Sequence, residues 1–304
     1  MNTVTQVLSD PNLFRYKEFC FHSMLHTKEH IETLQDFKIK HDDVFLVTYP
    51  KSGTIWTQHI LSLICSEGYR NGTEETTTDT RIPWLETKSP DIHVDWTKYA
   101  EISPRLFTTH LSYSLIPQEL KTKKGKVIYV VRNPKDVAAS FYHFYNIFVH
   151  LKKPANFDEF MERFLAGDVV AGLWFDHVQG WYSHKDEFNV LFLKYEDMIM
   201  DLCSIVQKIC KFLGRELDET TLNTVVEKAS FKNMKMDTRA NGEHLPGQFF
   251  NENKARFMRK GTIGDWKNLM TVAQSEQFDA IFKEKMKGLP IIFTWDISEQ
   301  YSYK

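Results

Sequence analysis

The sequence predicts an α/β fold, a single domain in which a central parallel sheet is flanked by helices. Four apolar runs are continuous rather than alternating, which is typical of strands buried on both faces of a parallel sheet. Helical patterns lie between and after these runs, and strands that alternate with helices form parallel sheets. No Pro-, Gly- or Ser-rich linker divides the 304 residues. We therefore expect one domain over 1–304, with an N-terminal segment over about 1–40 and a core over about 42–290.

The composition is that of a folded globular protein. Hydrophobic residues make up 42% and charged residues 26% of the chain, which excludes bulk disorder. The net charge of -2 gives no field for non-specific binding of nucleic acid. The four cysteines include no C-x-x-C pair, so we expect reduced thiols rather than a disulfide framework or a zinc site. No signal peptide and no membrane-spanning apolar run are visible, and the expected location is cytoplasmic.

The apolar runs and the helical periodicity place the elements along the chain. The predicted strands are Val44–Tyr49, Leu106–Thr109, Lys126–Val131 and Asn189–Tyr195. The predicted helices are Ile55–Glu67, Pro134–Phe148, Phe157–Leu165, Leu202–Leu213, Glu219–Lys228 and Val272–Met286.

The turn between the first strand and the first helix predicts an anion site. Pro50 ends the strand, and Gly53 allows a backbone conformation or a close approach that a side chain would block. The N–H groups of Ser52 to Ile55 and the helix dipole converge on one point, to which Lys51 adds a positive charge. The turn is P-loop-like, but Lys51 precedes the only glycine, unlike the lysine of G-x-x-x-x-G-K-[ST]. A strand-to-helix turn with a solvated lysine is the alternative.

A second strand–helix unit, Val130–Phe144, repeats this arrangement. Pro134 occupies the first helical turn, where its missing N–H costs nothing. Arg132 follows the carboxyl end of the strand, where open α/β sheets bind ligands. Arg132 and Ser140 can contact a second phosphate group, and two such sites predict a ligand with two separated anions. A salt-bridged arginine and an incidental serine are the alternative.

A basic loop late in the chain, Phe257–Lys267, is the third candidate. Arg259 and Lys260, with the backbone of Gly261, could close over a phosphate group. By itself the loop also fits a basic turn on the surface.

Together, Tyr49–Trp56, Arg132–Phe144 and Arg259–Lys267 resemble the three signature segments of the cytosolic sulfotransferases. That family transfers a sulfuryl group from 3′-phosphoadenosine 5′-phosphosulfate (PAPS). The resemblance extends from Asp42-Asp43 to the last helix, and the joint match is highly specific.

The resemblance implies PAPS as co-substrate, adenosine 3′,5′-bisphosphate (PAP) as product, and no metal. Around the 5′-phosphosulfate and the adenine end it places Lys51, Ser52, Gly53, Thr54, Ile55 and Trp56. For the 3′-phosphate it implies Arg132, Ser140, Arg259, Lys260 and Gly261. Along the nucleotide it places Tyr195, Ser230, Phe231 and Met234. Without the resemblance, Tyr195 and Phe231 would be interpreted as core aromatics.

The resemblance also implies the catalytic residues, His110 and Lys51. His110 matches the family's catalytic histidine and would take the acceptor's proton as general base. Lys51 would stabilise the charge that grows on the bridging oxygen as the nucleotide leaves. Thr108 stands where the family commonly has a lysine, and a less cationic pocket would suit an amine acceptor.

The acceptor that the resemblance implies is a small hydrophobic molecule with an amine or a hydroxyl group, as in xenobiotic metabolism: an arylamine, a phenol or a steroid alcohol. Within the family, Thr48–Gln58, Arg81-Ile82-Pro83 and Leu106–His110 are most similar to the amine sulfotransferases. A mostly apolar cleft suits such an acceptor. Candidate aromatics, each of which also fits the core, are Phe144, Trp84, Phe249 and Phe250. Glu86 could attract an amine, but we expect a solvated carboxylate there.

The segment from Lys267 to Glu276 is similar to the family's dimer segment, K-x-x-x-T-V-x-x-x-E. The resemblance therefore implies a homodimer through Lys267, Thr271, Val272 and Glu276. Spacing alone predicts a helix N-terminus with Thr271 as its cap.

Two other functions stay open. A small-molecule kinase of the P-loop type is disfavoured because the Walker lysine–hydroxyl pair and a magnesium carboxylate are missing from the sequence. A catalytically silent dimer that binds PAPS or PAP is disfavoured because Lys51 and His110 are present.

Overall fold

A parallel sheet of four strands lies at the centre of the protein, as the sequence predicts. The computed structural model describes residues 8–68, 75–88, 99–122, 124–243, 249–250 and 258–297. The strands of this part of the chain are β1 (Leu13–Tyr16), β2 (Phe19–His22), β3 (Val44–Thr48), β4 (Leu106–Thr109), β5 (Lys126–Val131) and β6 (Val190–Lys194). The sheet has the order β4-β3-β5-β6, and every neighbouring pair is parallel. The four predicted strands are thus confirmed; β3 ends one residue before its predicted end, and β6 is one residue shorter at each end than predicted.

Helices cover both faces of the sheet. The α-helices of the described residues are α1 (Lys28–Thr33), α2 (Thr54–Cys65), α3 (Thr78–Arg81), α4 (Pro134–Ile147), α5 (Phe157–Ala166), α6 (Trp174–Ser183), α7 (Tyr195–Met200), α8 (Leu202–Leu213), α9 (Glu219–Lys228), α10 (Phe231–Met236) and α11 (Val272–Lys285). The six predicted helices correspond to α2, α4, α5, α8, α9 and α11, and α8 and α9 have the predicted bounds.

The sequence analysis missed the antiparallel hairpin β1–β2 and the helix α6. Tyr16 pairs with Phe19, so the hairpin turn has only two residues, and Lys17 adopts a φ of 54° there. Glycine, asparagine or aspartate usually marks such a turn, and none of them is present. Helix α6 is rich in aromatic residues and contains Gly180, so its composition does not favour a helix.

Two hydrophobic cores lie on the two faces of the sheet. Phe45 and Val47 of β3 point into one core with side chains of α4, α5, α6 and α11. Val44 and Leu46 point into the other with side chains of α2, α8 and α9. Because successive side chains of one strand enter different hydrophobic cores, both sets are apolar, and the strands appear in the sequence as continuous apolar runs.

The order of the strands brings four turns together at one edge of the sheet. Helix α2 begins six residues after β3, α4 begins three residues after β5, and α7 follows β6 directly. Because β3 and β5 are neighbours, the N-termini of α2 and α4 lie side by side. Parallel strands end at the same edge, so the residue after β4 also belongs to this group.

Candidate active site

The carboxyl ends of all four parallel strands contribute to one cavity of about 340 Å³. Lys51 follows β3, His110 follows β4, Arg132 follows β5 and Tyr195 follows β6, and all four line the cavity. Other predicted residues that line it are Gly53, Thr54, Ile55, Trp56, Trp84, Ser140, Phe144, Phe231, Met234, Phe249, Phe250, Arg259, Lys260 and Gly261. Ser52 and Ser230 do not line it: Ser52 is buried, and Ser230 caps α10 by accepting the N–H of Asn233.

The anion-binding turn depends on a close approach between Gly53 and Tyr195. Gly53 has a φ of +97°, a conformation that side chains disfavour. A Cβ atom at Gly53 would lie 2.6 Å from Cδ2 of Tyr195, so the ring covers the turn only because the residue is glycine. Helix α2 begins after this residue, and its first amides point out of the helix without an intrahelical acceptor.

One part of the predicted anion cradle is wrong. The N–H of Ser52 donates to the carbonyl oxygen of Tyr49 at 3.2 Å, which closes the turn and removes that N–H from the cradle. The first helical bond runs from Thr57 N–H to Gly53 O. The amides that remain for an anion therefore begin at Gly53 and continue into the first turn of α2.

Lys51 places a cation in this cradle, in a setting that disfavours its charge. Its Nζ lies 4.5 Å from the ring centroid of Phe144. Burial, with the positive charges of Arg132 and Arg259 nearby, lowers the pKa of Lys51 to about 7. A bound anion would reverse this effect because it compensates the three positive charges.

Arg132 is fixed by backbone oxygens from two other segments. Its guanidinium donates to the carbonyl oxygens of Lys51 at 3.1 Å and of Thr262 at 3.2 Å. It also stacks on Tyr195, with 4.3 Å between the guanidinium carbon and the ring centroid. Arg132 thereby links the anion-binding turn to the basic loop that contains Thr262.

The basic loop is anchored to the N-terminus of α4 by Asp136, a residue that the sequence analysis missed. Asp136 is buried and accepts the N–H groups of Gly264 at 2.8 Å and of Trp266 at 3.0 Å. In the sequence, the position of Asp136 at the start of a helix indicated only that its negative charge lies favourably at the positive end of the helix dipole. The contact across 128 residues could not be read from the sequence.

Arg259 and Lys260 both form ion pairs with Asp265. Burial alone would raise the pKa of Asp265, but hydrogen bonds from Lys260 and Arg259 outweigh it and lower the pKa to about 2. The ring of Phe231 packs directly over Gly261, closer than a side chain at that position would allow. The loop therefore presents two cations whose positions are set by one carboxylate.

His110 has a defined tautomer. Its Nδ1 lies 2.6 Å from the carbonyl oxygen of Thr48, which can only accept, so Nδ1 carries the hydrogen and Nε2 carries the lone pair. Burial lowers the pKa of His110 to about 3, so the imidazole is neutral at neutral pH. A neutral histidine whose lone pair belongs to Nε2 is in the state that a general base requires.

The segment from Pro83 to Glu86 supports His110. The backbone of this segment extends the sheet beside β4, with Trp84 bridged to Thr108. The ring of Trp84 lies 4.7 Å from the imidazole of His110, centroid to centroid. The carboxylate oxygen Oε1 of Glu86 accepts the backbone N–H of His110 at 2.8 Å. The segment from Pro83 to Glu86 therefore contacts both the imidazole ring and the backbone N–H of His110.

Glu86 is not the solvated carboxylate that we expected. Its residue surface is 2% exposed, and it lines the cavity. Burial, which outweighs the hydrogen bond from the His110 amide, raises its pKa to about 7. An acidic residue in an otherwise apolar stretch is normally solvated, so the sequence offered no signal for this burial.

Thr108, at the position of the family lysine, is fully buried. Its hydroxyl accepts a hydrogen bond from Nε2 of Gln58 at 2.7 Å. Gln58 lies on α2, is itself fully buried and lines the cavity. The sequence analysis did not single out Gln58, because its neighbours in α2 show only a helical pattern.

Aromatic rings form the other end of the cavity. Phe148 stacks on Phe144 at 5.2 Å and on Phe249 at 5.9 Å, and it contacts Phe250 edge-on at 5.8 Å. This cluster begins at Lys51, whose Nζ faces Phe144. The anion-binding turn and an apolar cleft are thus two parts of one cavity, as a reaction between an anionic donor and an apolar acceptor requires.

The segment of the proposed dimer contact contains the helix N-terminus that its spacing predicts, with Thr271 as the cap. Lys267 pairs with Asp296 of its own chain, so it is already engaged before any contact with a partner. Thr271 caps α11 in a capping box with Gln274. Val272 is 76% exposed, and a few other large apolar side chains of the described residues, among them Met236 and Ile292, are exposed to a similar extent.

Other features concern the described part of the chain as a whole. None of its helices is both long and apolar enough to cross a membrane. Within the same residues, no group of three His, Cys, Asp or Glu side chains could hold a metal ion. All four cysteines are described, and none forms a disulfide.

Comparison with known proteins gives consistent matches. The family model of the sulfotransferase domain matches residues 41–290. The chain is 47% identical over 290 residues to the amine sulfotransferase of Oryctolagus cuniculus, with 95% of each protein covered. It is 43% identical over 266 residues to sulfotransferase 1A1 of Canis lupus familiaris, with 87% of this chain and 90% of that protein covered. Its structure is similar to the crystal structure of mouse sulfotransferase SULT7A1 complexed with PAP, with a TM-score of 0.74, 33% identity, and 91% and 95% of the two chains covered.

Proposed function

The chain belongs to the sulfotransferase family, and on that premise we propose that it transfers a sulfuryl group from PAPS to an amine or a hydroxyl of a small hydrophobic acceptor. One observation supports this proposal above the others: the anion-binding turn, the lone pair of His110 Nε2 and an apolar cleft share one cavity. The similar structure of SULT7A1 contains PAP, which supports PAPS as the donor.

The residues of the cavity fit PAPS. Arg132, Arg259 and Lys260 supply cations at one part of the cavity, and Lys51 with the amides that begin at Gly53 supplies a second anion site. Two separate anion sites correspond to the 3′-phosphate and the 5′-phosphosulfate. Rings of Trp56, Tyr195 and Phe231 line the same cavity and provide surfaces for the nucleoside. Ser52 and Ser230 are proposed only as supports of this site, since their side chains do not line the cavity.

PAPS would supply the sulfuryl group. The bond between the sulfur and the bridging oxygen of PAP breaks, and a new bond forms between the sulfur and the acceptor's nitrogen or oxygen. Nε2 of His110 accepts the proton that the acceptor loses. The carbonyl oxygen of Thr48 holds Nδ1–H and stabilises the imidazolium that results. Lys51 donates a hydrogen bond to the oxygen on which negative charge grows, and the amides of the α2 N-terminus act in the same direction.

An amine acceptor is favoured over a hydroxyl. The amine sulfotransferase of Oryctolagus cuniculus is 47% identical to this chain. Thr108 removes the positive charge that a lysine would place near the acceptor, and Glu86 adds a carboxyl group to the cavity wall. The apolar part of the acceptor would pack against the rings of Trp84, Phe144, Phe249 and Phe250.

A transfer assay distinguishes this function from the two alternatives. The protein is incubated with sulfur-labelled PAPS or with γ-phosphate-labelled ATP, together with arylamine, phenol and steroid-alcohol acceptors. We expect label transfer from PAPS and none from ATP. Transfer from ATP would instead indicate a kinase. Binding of PAP without transfer from PAPS to any acceptor would indicate a silent binding protein.

We further propose that the protein is a homodimer through the segment that contains Lys267, Thr271, Val272 and Glu276. The exposed Val272 at the start of α11 supports this proposal, since a second copy that covered it would remove an apolar side chain from water. Val272→Glu should convert a dimer into a monomer in sedimentation velocity, whereas Val149→Glu, at another exposed valine, should not. A monomeric wild-type protein would overturn the proposal.

The single domain over 1–304 and the cytoplasmic location stay predictions. The match of the sulfotransferase family model to residues 41–290 supports the expected core of about 42–290.

A further inference from the structure

A segment that follows α11, residues 291–296, contacts the basic loop from outside the cavity, and we call it the strap. The indole Nε1–H of Trp266 in the loop donates to the carbonyl oxygen of Trp295 in the strap at 2.9 Å. Gly264 packs closely against Asp296, since a Cβ atom on this glycine would lie 3.3 Å from Oδ1 of Asp296. No described residue of the strap lines the cavity, so its effect on a ligand must pass through the loop.

The strap is itself anchored in the protein core. Phe293 is buried, and its ring centroid lies 6.0 Å from that of Phe282 on α11. The ring of Trp295 contacts Phe282 edge-on at 5.0 Å. Nδ2 of Asn133, the N-cap of α4, donates to the carbonyl oxygen of Thr294 at 3.3 Å. Because the strap is fixed by the core and by the start of α4, it can hold the loop in place.

The residue that the strap holds is the neighbour of the residue that orients two cations. Asp265 directly precedes Trp266 and pairs with both Arg259 and Lys260, which line the cavity. Trp266 is held at two points, because Asp136 accepts its backbone N–H at 3.0 Å and the strap accepts its indole N–H. A displacement of Trp266 would therefore move Asp265, and the two cations would move with it.

We propose that Trp266, held by the strap, is a positioning residue for the 3′-phosphate of PAPS and PAP, an inference that rests on the proposed function. Charge-assisted hydrogen bonds to a phosphate depend on distance and angle, so displaced side chains of Arg259 and Lys260 bind the 3′-phosphate less well. The other anion site, formed by Lys51 and the first amides of α2, is built on β3 and α2. The strap should therefore affect the affinity for the 3′-phosphate and leave the affinity for the 5′-phosphate unchanged.

The test compares PAP with adenosine 5′-monophosphate (AMP), which lacks only the 3′-phosphate. Trp266→Phe removes the indole N–H and keeps an aromatic ring. In this variant the dissociation constant for PAP should rise about two- to tenfold, the range that one hydrogen bond contributes, while that for AMP stays at the wild-type value. Trp181→Phe is the matched control, because the buried indole of Trp181 also donates to a backbone carbonyl oxygen, that of Leu111 at 3.1 Å. In the control, the ratio of the two dissociation constants should equal that of wild type.

The thermal unfolding midpoint shows whether each variant folds. If Trp266→Phe does not, Asp296→Asn replaces it with the same expectation, because it removes the ion pair between the strap and Lys267 and keeps the size of the side chain. An unchanged PAP affinity, an equal loss for PAP and AMP, or the same change of ratio in Trp181→Phe would overturn the proposal and leave the proposed function intact. Wild-type protein that binds PAP no more tightly than AMP would count against the proposed function itself, and the inference that rests on it would be overturned as well.

Discussion

The contact between Gly53 and Tyr195 gives a prediction that joins stability to donor binding. Replacing Gly53 by alanine adds a Cβ atom 2.6 Å from Cδ2 and 3.0 Å from Cε2 of the Tyr195 ring. The ring cannot move aside without loss, because its faces and edges contact the guanidinium of Arg132 and the ring of Trp56. The substitution therefore disturbs the anion-binding turn and Arg132 together.

Two costs add in Gly53→Ala. An alanine in the left-handed region, at a φ of +97°, costs about 1–2 kcal/mol. Forcing extra atoms into a packed site typically costs about 1–3 kcal/mol more. The free energy of unfolding should thus fall by about 2–5 kcal/mol. PAP affinity should fall as well, because Tyr195 and Arg132 both lose their positions.

Gly214→Ala is the matched control. Gly214 has a φ of +72°, but nothing lies within 4 Å of the added Cβ atom. It carries the conformational cost of about 1–2 kcal/mol without the steric one. Denaturant unfolding measures both stabilities, and titration calorimetry measures both dissociation constants for PAP. The reasoning is refuted if Gly53→Ala loses no more stability than Gly214→Ala and binds PAP as wild type does.

Two further predictions concern the charges of the site. Before an anion binds, the pKa of Lys51 is lowered to about 7, so above pH 7 Lys51 must take up a proton when PAP binds. The PAP affinity should therefore weaken as pH rises above 7, by at most about tenfold per pH unit. Calorimetry between pH 6 and 9 should show this in wild type and not in Lys51→Met; a pH-independent affinity in wild type would contradict it. Asp136→Asn should weaken PAP binding about tenfold, because an amide cannot accept both the Gly264 and Trp266 N–H groups without facing one with its own NH₂. The exposed Asp186→Asn should not change the same dissociation constant, and equal values for the two variants would argue against the anchoring role of Asp136.

The elements that carry local signals were predictable from the sequence. The continuous apolar runs of β3, β4, β5 and β6 indicated strands buried on both faces, and the structure contains them. The Pro50–Thr54 turn and the Asn133-Pro134 start of α4 carry their own residue preferences, so their positions at strand ends followed directly.

Features that depend on contacts between distant segments were not predictable. Gln58 meets Thr108 across 50 residues, and Glu86 meets His110 across 24. Nothing in the local sequence around Gln58 or Glu86 indicates whether the side chain is buried in the wall of a cavity or solvated on the surface. The hydrogen bond that removes Ser52 N–H from the cradle depends on the path of the backbone, which the residue types alone do not specify.

The most direct test of the account is a single-turnover measurement of sulfur transfer from labelled PAPS to 2-naphthylamine by wild type and His110→Ala. The account places the base at His110 Nε2 and the donor site elsewhere in the cavity. The variant should therefore transfer about 10²–10⁴-fold more slowly, the usual contribution of a positioned base, while its dissociation constant for PAP stays close to that of wild type. Transfer at the wild-type rate in His110→Ala would contradict the account.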